Sequence, residues 1–398
     1  MTELKPPGDW KVEPLGKFFR ERREQASDSE YEPLSVSMAG VVPRMDNVAI
    51  SFNGENRKLV RKDDFVINSR SDRKGSAGVA DRDGSVSLIS IVLEPCGIEP
   101  RFVHHLLRST WFQEEFYRWG SGIVDDLWST RFQAMKRIGL PIPPIEQQRR
   151  IADYLDRETA TIDALIEKQR ALVQGLRDRR IATVENMLAG VCSPVPVKWC
   201  AELLAGYAFS SSDFVRVEDG RRLLRGINVK PGSIDWSEAV SLSTTAAPSS
   251  SEYALHSGDV VLGMDRPFVG GGTRVALVDY CAEGAYLVQR VLRLRPIAGV
   301  DCRMLAYALG GTVFRTQIET EFTGISVPHL SESQVSRVKI PMPPADEQRE
   351  IADHLDHETA KIDALIAKAE RFIELAQERR AALITAAVTG QIEIPTED

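Results

Sequence analysis

Apolar residues recur at steps of three and four along two proline-free stretches of the chain, each about 45 residues long. In the first stretch they are Ile151, Leu155, Ile162, Ile166, Val173, Leu176, Val184 and Leu188. In the second they are Ile351, Leu355, Ile362, Ile366, Ile373, Ala376, Ile384 and Val388. This period predicts helices, and their length suggests a coiled coil rather than ordinary globular helices. Each stretch is opened by prolines, Pro141, Pro143 and Pro144 or Pro341, Pro343 and Pro344, which suit a first helical turn and no later one. Gly190 and Gly390 stand where a helix C-cap is expected. At 1.5 Å per residue each helix would run roughly 65 Å. Gly175 is an interior weak point in the first helix only.

The two stretches are copies. Residues 141–166 read PIPPIEQQRRIADYLDRETATIDALI, and residues 341–366 read PMPPADEQREIADHLDHETAKIDALI; carried to Gly190 and Gly390, 23 of 50 positions are identical. A long repeat fixes the architecture before any other feature. The chain therefore divides into segment 1–140, helix 141–190, segment 191–340, and helix with acidic tail 341–398.

Inside the two segments the pattern changes to short apolar runs between turn residues, which predict strands. They fall at 48–53, 64–68 and 85–93, then at 222–229, 259–264, 273–279 and 286–294; residues 101–119 and 302–321 read as helical. Faint correspondences suggest one fold for both segments. Asp64 matches Asp259, and Leu107, Thr110, Phe112 and Gly122 match Leu309, Thr312, Phe314 and Gly324. An echo pairs Trp10, Glu13 and Leu15 with Trp199, Glu202 and Leu204. The fold class is α/β (α+β).

The net charge of −7 is unevenly placed. Segments 1–140 and 191–340 balance at 21 basic to 21 acidic and 15 to 15, as does helix 141–190 at 8 to 8, whereas residues 341–398 carry 6 basic and 13 acidic side chains. The last helix is thus a poor phosphate partner, while a basic face on either segment stays open. The charge argues against non-specific coating of DNA, not against sequence reading. Five cysteines show no CxxC spacing, which argues against a disulfide framework or zinc site and fits a reducing cytoplasm. MTELKPPGDW holds no apolar run, so no signal peptide is expected, nor is a membrane span. His354 and His357 share a helix with Asp353, Asp356 and Glu358, but the sister copy has Tyr154 and Arg157 there. A solvated face is expected, with no metal. His104 and His105 read as structural.

The duplicated motif, with the second copy running on to Glu378-Arg379-Arg380 and Thr389-Gly390, resembles the conserved regions of the specificity subunit of type I restriction-modification systems. The resemblance covers both repeats, and two dissimilar segments lie where that family has its target-recognition domains. It implies two α/β recognition domains held apart by two long antiparallel helices. Each domain would read half of an asymmetric, two-part site in double-stranded DNA, with the helices setting the gap. Two methyltransferase subunits would dock on the chain, with restriction subunits joining them in some systems. S-adenosylmethionine, ATP and Mg²⁺ would belong to those partners and none to this chain. No [ND]PP[FY] amino-methyltransferase motif and no GxxxxGK[ST] loop occurs, so a non-catalytic role is expected. An orphan subunit serving methylation alone and a coiled-coil scaffold unrelated to DNA are the alternatives; neighbouring genes and a gel shift with the partner would separate them.

On this reading the loop Asn68 to Lys74 offers Asn68, Arg70, Arg73 and Lys74. Arginine grips guanine and asparagine adenine through paired hydrogen bonds, and lysine takes phosphate. The equivalent place in the second segment offers Asp265, Arg266, Gly271 and Arg274, and Gln289 and Arg290 could reach bases from a strand. A solvated hairpin would need none of them to touch DNA. Gln148, Arg149, Asp153, Asp156, Gln348, Arg349, Asp353 and Asp356 recur in both helices. They are candidates for two equivalent partner-docking surfaces, beside capping and intrahelical ion pairs.

Overall fold

A computed structural model describes residues 6–44, 56–70, 75–122, 128–189, 194–243, 251–270, 272–320 and 328–395. The expected strand 48–53, and Arg73, Lys74, Gly190, Gly271 and Gly324, lie outside the described residues. The chain forms two compact units, Met1–Ala171 with Glu370–Asp398, and Leu172–Ala369.

In unit 1 the central sheet holds β1 (Phe19–Glu21), β2 (Phe65–Asn68), β3 (Ala77–Val79) and β4 (Ser90–Pro95), in the order β1-β4-β2-β3. All neighbours are antiparallel, with Pro95 opposite Phe19, Leu93 opposite Phe65, and Phe65 opposite Val79. Successive side chains on a strand point to opposite faces. Accordingly Phe65, Ile67, Ile91 and Leu93 pack on one side with Phe102, Leu106, Phe112 and Phe116 of helices α1 (Pro100–Leu106) and α2 (Thr110–Arg118). Val66 and Val92 pack on the other with Leu34, Val60 and Val86. Burial of both faces explains why these strands read as continuous apolar runs. The expected strand 85–93 is two pieces, Gly84–Val86 and β4, broken by a turn.

Unit 2 repeats the plan. Its sheet holds β5 (Ala201–Ala205), β6 (Val260–Gly263), β7 (Val275–Leu277) and β8 (Val291–Pro296), in the order β5-β8-β6-β7. Helices α3 (Cys302–Gly310) and α4 (Thr312–Glu319) cover one face through Leu305, Leu309, Phe314 and Ile318. Residues 286–294 again form two pieces, Tyr286–Leu287 and β8.

Each unit also ties its own start to its own end. Lys11–Pro14 pairs with Gly139–Ile142, and Val195–Pro196 pairs with Lys339–Ile340, where each proline run begins. A 3₁₀ turn follows the first strand of each pair. Leu15 N–H bonds Ile138 O at 2.8 Å, and Val197 N–H bonds Val338 O at 2.9 Å. This corrects the echo read from sequence: Leu15 corresponds to Val197. Trp10 is buried at 8% exposure and Trp199 is exposed at 63%, so those tryptophans are not equivalents.

The two repeats are helices Ile145–Ala189 and Ala345–Val388. Every residue of the first apolar stripe is buried. In the second, Ile351, Ile366, Ile373 and Ala376 are half-buried. Within unit 1 the segments run antiparallel. Ile151, Ala152 and Leu155 share a core with Ile384, Ala387 and Val388, and further along Asp163 meets Arg380 at 2.8 Å. Unit 2 has the mirror arrangement, Val184 and Leu188 with Leu355, and Arg180 with Asp363 at 2.9 Å. The second helix stops in a Schellman turn. Gly390 has φ 72°, its N–H reaches Ala387 O, and Gln391 N–H reaches Ala386 O.

Candidate nucleic-acid interface and helix junctions

Two kinds of site emerge, a junction where each sheet-and-helix domain sits on a repeat helix, and a polar cleft at the loop end of the unit 2 sheet.

The junctions are nearly identical in the two units. Gln148 is buried in the first turn of its helix, where Nε2 donates to Pro143 O at 2.9 Å and Oε1 accepts from Glu99 N–H at 2.9 Å. Gln348 does the same with Pro343 O at 2.9 Å and Asp301 N–H at 2.8 Å. One amide thus closes the proline turn and caps the start of α1 or α3. One turn on, Arg101 bonds Asp153 at 2.7 Å and Asp156 at 3.3 Å, and Arg303 bonds Asp353 and Asp356 at 2.7 Å each. Asp153 first, then Asp156, raises the Arg101 pKa against the effect of burial; Asp353 leads for Arg303. The other oxygen of each second aspartate takes a different partner. His105 Nε2 lies 2.7 Å from Asp156, and that bond holds the Asp156 carboxyl below its ordinary value. Tyr307 donates to Asp356 at 2.8 Å, and burial pushes its phenol up to about 12.

Seven of the eight polar positions proposed for partner docking, Gln148, Arg149, Asp153, Asp156, Gln348, Asp353 and Asp356, therefore have partners inside their own unit. Arg149 is exposed and meets Glu146 at 2.9 Å and Glu99 at 3.5 Å; Arg349 is exposed. His354 and His357 are exposed on the helix surface. His104 is half-buried beside Arg108, and loss of solvent, then that charge, lowers its pKa to about 3. Large apolar side chains remain exposed on the helices, Leu165, Phe372 and Leu375 in unit 1, Leu172 and Leu365 in unit 2. Sequence reading passed over them, although Leu165 and Leu172 stand one heptad apart beside the buried stripe.

In unit 2, Asp265, Arg266, Arg274, Gln289 and Arg290 are brought together on a cleft of about 740 Å³, joined by Arg225 and Lys230. Asp259 anchors the opposite end of the sheet, just before β6. It is buried, accepts from His256 N–H at 2.8 Å and pairs with Arg295 at 2.7 Å. Asp64 plays that part in unit 1, with Arg61 N–H at 2.8 Å and Arg22 at 2.7 Å. At the cleft Asp265 Oδ1 lies 2.6 Å from His329 Nδ1 and 3.1 Å from Arg290 Nη1. Arg266 and Arg290 have φ of 44° and 70°. Non-glycine residues seldom adopt this left-handed region, and such strain concentrates at functional sites. Gln289 and Arg290 stand in the turn between Tyr286–Leu287 and β8, both exposed. Arg274 is different: Nε donates to Val229 O at 2.9 Å and Nη1 to Asp265 O at 2.7 Å, and burial lowers its pKa. It holds the loop together.

The sequence offered no sign of His329, Arg225 or Lys230, because none adjoins the loop in sequence. The unit 1 counterpart is described only in part. Asn68 ends β2, its Oδ1 accepts from Arg70 N–H at 3.0 Å, and Arg70 is exposed and bridges to Ser129. Asp265 bridges to His329 in the corresponding way.

Two similar sheet-and-helix domains, each clamped to a copy of one helix and carrying unlike polar loops, define a duplicated recognition scaffold. Residues 208–374 match the type I restriction modification DNA specificity domain. The type I restriction enzyme MjaVIII specificity subunit of Methanocaldococcus jannaschii is 24% identical over 422 residues, covering 99% of this chain and 95% of that protein. The EcoBI specificity subunit of Escherichia coli is 30% identical over 200 residues, covering 50% of this chain and 39% of its own. A solved chain, described in terms of complex assembly and conformational transition of the type I R-M system, matches with TM-score 0.66 at 17% identity, covering 98% of this chain and 100% of that one. That likeness is one of fold. Over residues 208–374 the chain carries the type I restriction modification DNA specificity domain, and over nearly its whole length it is similar to a type I restriction enzyme specificity subunit.

Proposed function

We propose that each unit reads one half of an asymmetric, two-part site in double-stranded DNA, the helices setting the distance between the halves. The observation that carries this reading is the unit 2 cleft, where Arg266 and Arg290 are exposed in strained backbone and Asp265 is held by His329 and Arg290. Arginine grips guanine O6 and N7, and an aspartate accepts from cytosine N4. In unit 1 the reading falls to Asn68, Arg70, Arg73 and Lys74. The unlike loops on similar sheets account for unlike half-sites.

The chain on this reading is a non-catalytic subunit. Two methyltransferase subunits supply S-adenosylmethionine chemistry, and restriction subunits that use ATP and Mg²⁺ join where they exist. The exposed Leu165, Phe372 and Leu375 of unit 1 and Leu172 and Leu365 of unit 2 supply apolar helix surface for docking; Arg149 and Arg349 are among the exposed polar positions of the motif.

The test is methylome sequencing of cells carrying the subunit with its methyltransferase. Wild type should give one two-part motif with a fixed gap. Asp265→Ala should relax one base pair in one half and leave the other half intact. A motif without a gap, or uniform loss at both halves, would refute the assignment. The isolated chain should transfer no methyl group from labelled S-adenosylmethionine.

A further inference from the structure

The two junctions differ behind α1 and α3. Arg101 and Arg303 make the same bonds, so His104 and Arg108 correspond to Ala306 and Gly310. In unit 1 those long side chains fill the space beside the edge strand. Val79 N–H points to His104 Nδ1 at 3.5 Å, His104 Nε2 lies 2.7 Å from Arg108 Nη1, and Arg108 Nη2 donates to Met38 O at 2.5 Å. In unit 2 Ala306 and Gly310 leave that space open, and a cavity of about 340 Å³ remains.

Its walls are mainly apolar, with Ile181 and Val184 of the first repeat helix facing Val275 and Leu277 of β7. Two wall oxygens are buried and have no hydrogen-bond partner, Glu185 Oε1 and Thr273 Oγ1. Thr273 is only 3% exposed. Three arginines line the cavity and each is already engaged, Arg180 with Asp363, Arg303 with Asp353 and Asp356, and Arg315 with Glu319. A buried acceptor without a donor is costly, and a small-molecule pocket has this composition, apolar walls with a few convergent polar atoms. The volume falls in the ~300–1,000 Å³ range of such pockets. A carboxylate oxygen and a hydroxyl oxygen without donors call for a ligand that donates, and the carboxylate favours positive charge.

We propose that this cavity binds a small organic cation, a primary ammonium or amidinium on a compact apolar body. The cationic head meets Glu185 and Thr273, and the body lies against Ile181, Val184 and Leu277. This site is separate from the DNA cleft, and its test needs no DNA.

The experiment titrates benzylamine into the full chain by calorimetry and thermal melting, with benzyl alcohol and benzoate as neutral and anionic comparators. Benzylamine should bind saturably and raise the melting temperature. Benzyl alcohol should bind about tenfold or more weakly, a difference of about 1.4 kcal/mol, and benzoate should show no saturable binding. Glu185→Gln should lose the preference for the amine. Ala306→Met should fill the space as His104 does in unit 1, and abolish binding while the unliganded melting temperature holds or rises. Absence of saturable benzylamine binding, equal binding of benzoate, or unaltered binding in folded Glu185→Gln or Ala306→Met protein would overturn the proposal.

Discussion

Arg180 Nε donates to Asp363 at 2.9 Å, and 200 residues away Arg380 pairs with Asp163, its Nη2 donating at 3.1 Å. The repeat thus duplicates a contact as well as a sequence. These pairs are a third to a half exposed, so each should contribute little, about 0–1 kcal/mol. The buried glutamines should matter more. Gln348→Ala leaves Asp301 N–H and Pro343 O without their partner, at a cost of about 2–3 kcal/mol. Urea denaturation should rank Gln348→Ala well below Arg180→Ala in stability, with Gln148→Ala behaving likewise in unit 1. Equal effects would mean that the amide clamp is replaced by water.

Acid should weaken unit 1 through His104. Its folded pKa of about 3 lies below the ordinary 6.5, because burial and Arg108 disfavour the charged ring, with His105 and Arg380 adding to this and Asp156 opposing it. Between those values the unfolded chain holds a proton that the folded chain lacks, so stability falls as pH drops below 6.5 and is unaffected above it. By pH 5 the loss is about 2 kcal/mol. Urea titrations at pH 7 and pH 5 should show a smaller acid loss in His104→Leu than in wild type. Carboxylates protonate in both proteins, so the difference isolates His104.

Two arginines of the unit 2 cleft should separate by phenotype. Arg274 donates to two backbone carbonyls and is partly buried, so Arg274→Ala should lower stability by about 1–3 kcal/mol. Arg290 is 55% exposed on its side chain. Arg290→Ala should leave the melting temperature nearly unchanged, yet cost about 1–3 kcal/mol in DNA binding by the assembled methyltransferase if the residue grips a base. Fluorescence melting and binding to wild-type and single-base-changed sites measure the two effects.

The helices and the duplication were legible because a long period-3.6 stripe and an ungapped repeat are strong local signals. All eight stripe residues of the first helix are buried. The strands were legible as apolar runs, and Asp64 with Asp259 marked the same turn in both units. What escaped was long-range. His329 meets Asp265 across 64 residues, and no periodicity carries that. The polar positions of the repeat were visible, but the sequence did not reveal that Gln148 and Asp156 face α1 of their own unit. The echo at Trp10 failed because identity of one large residue outweighed the true pairing of Leu15 with Val197, which rests on backbone bonds.

The helices should act as a ruler, and the ion pairs say how to lengthen it. Equal lengths of helix separate Asp163 from Arg180 and Asp363 from Arg380, so both pairs keep step only if both helices grow together. Four residues inserted after Gln169, matched by four after Ala369, add about one turn, or roughly 6 Å, to each helix. DNA rises about 3.4 Å per base pair, so the preferred gap should grow by one or two base pairs while both half-site sequences stay the same. The added turn rotates the apolar stripe by only a small angle, whereas a two-residue insertion turns Val173 and Leu176 away from their buried side and should cripple folding. An insertion in the first helix alone should sit between these outcomes, since it shifts the register of one ion pair against the other. The readout is the methylated motif in cells carrying the altered subunit with its methyltransferase. An active, doubly lengthened variant that keeps the original gap would show that the helices do not set the spacing.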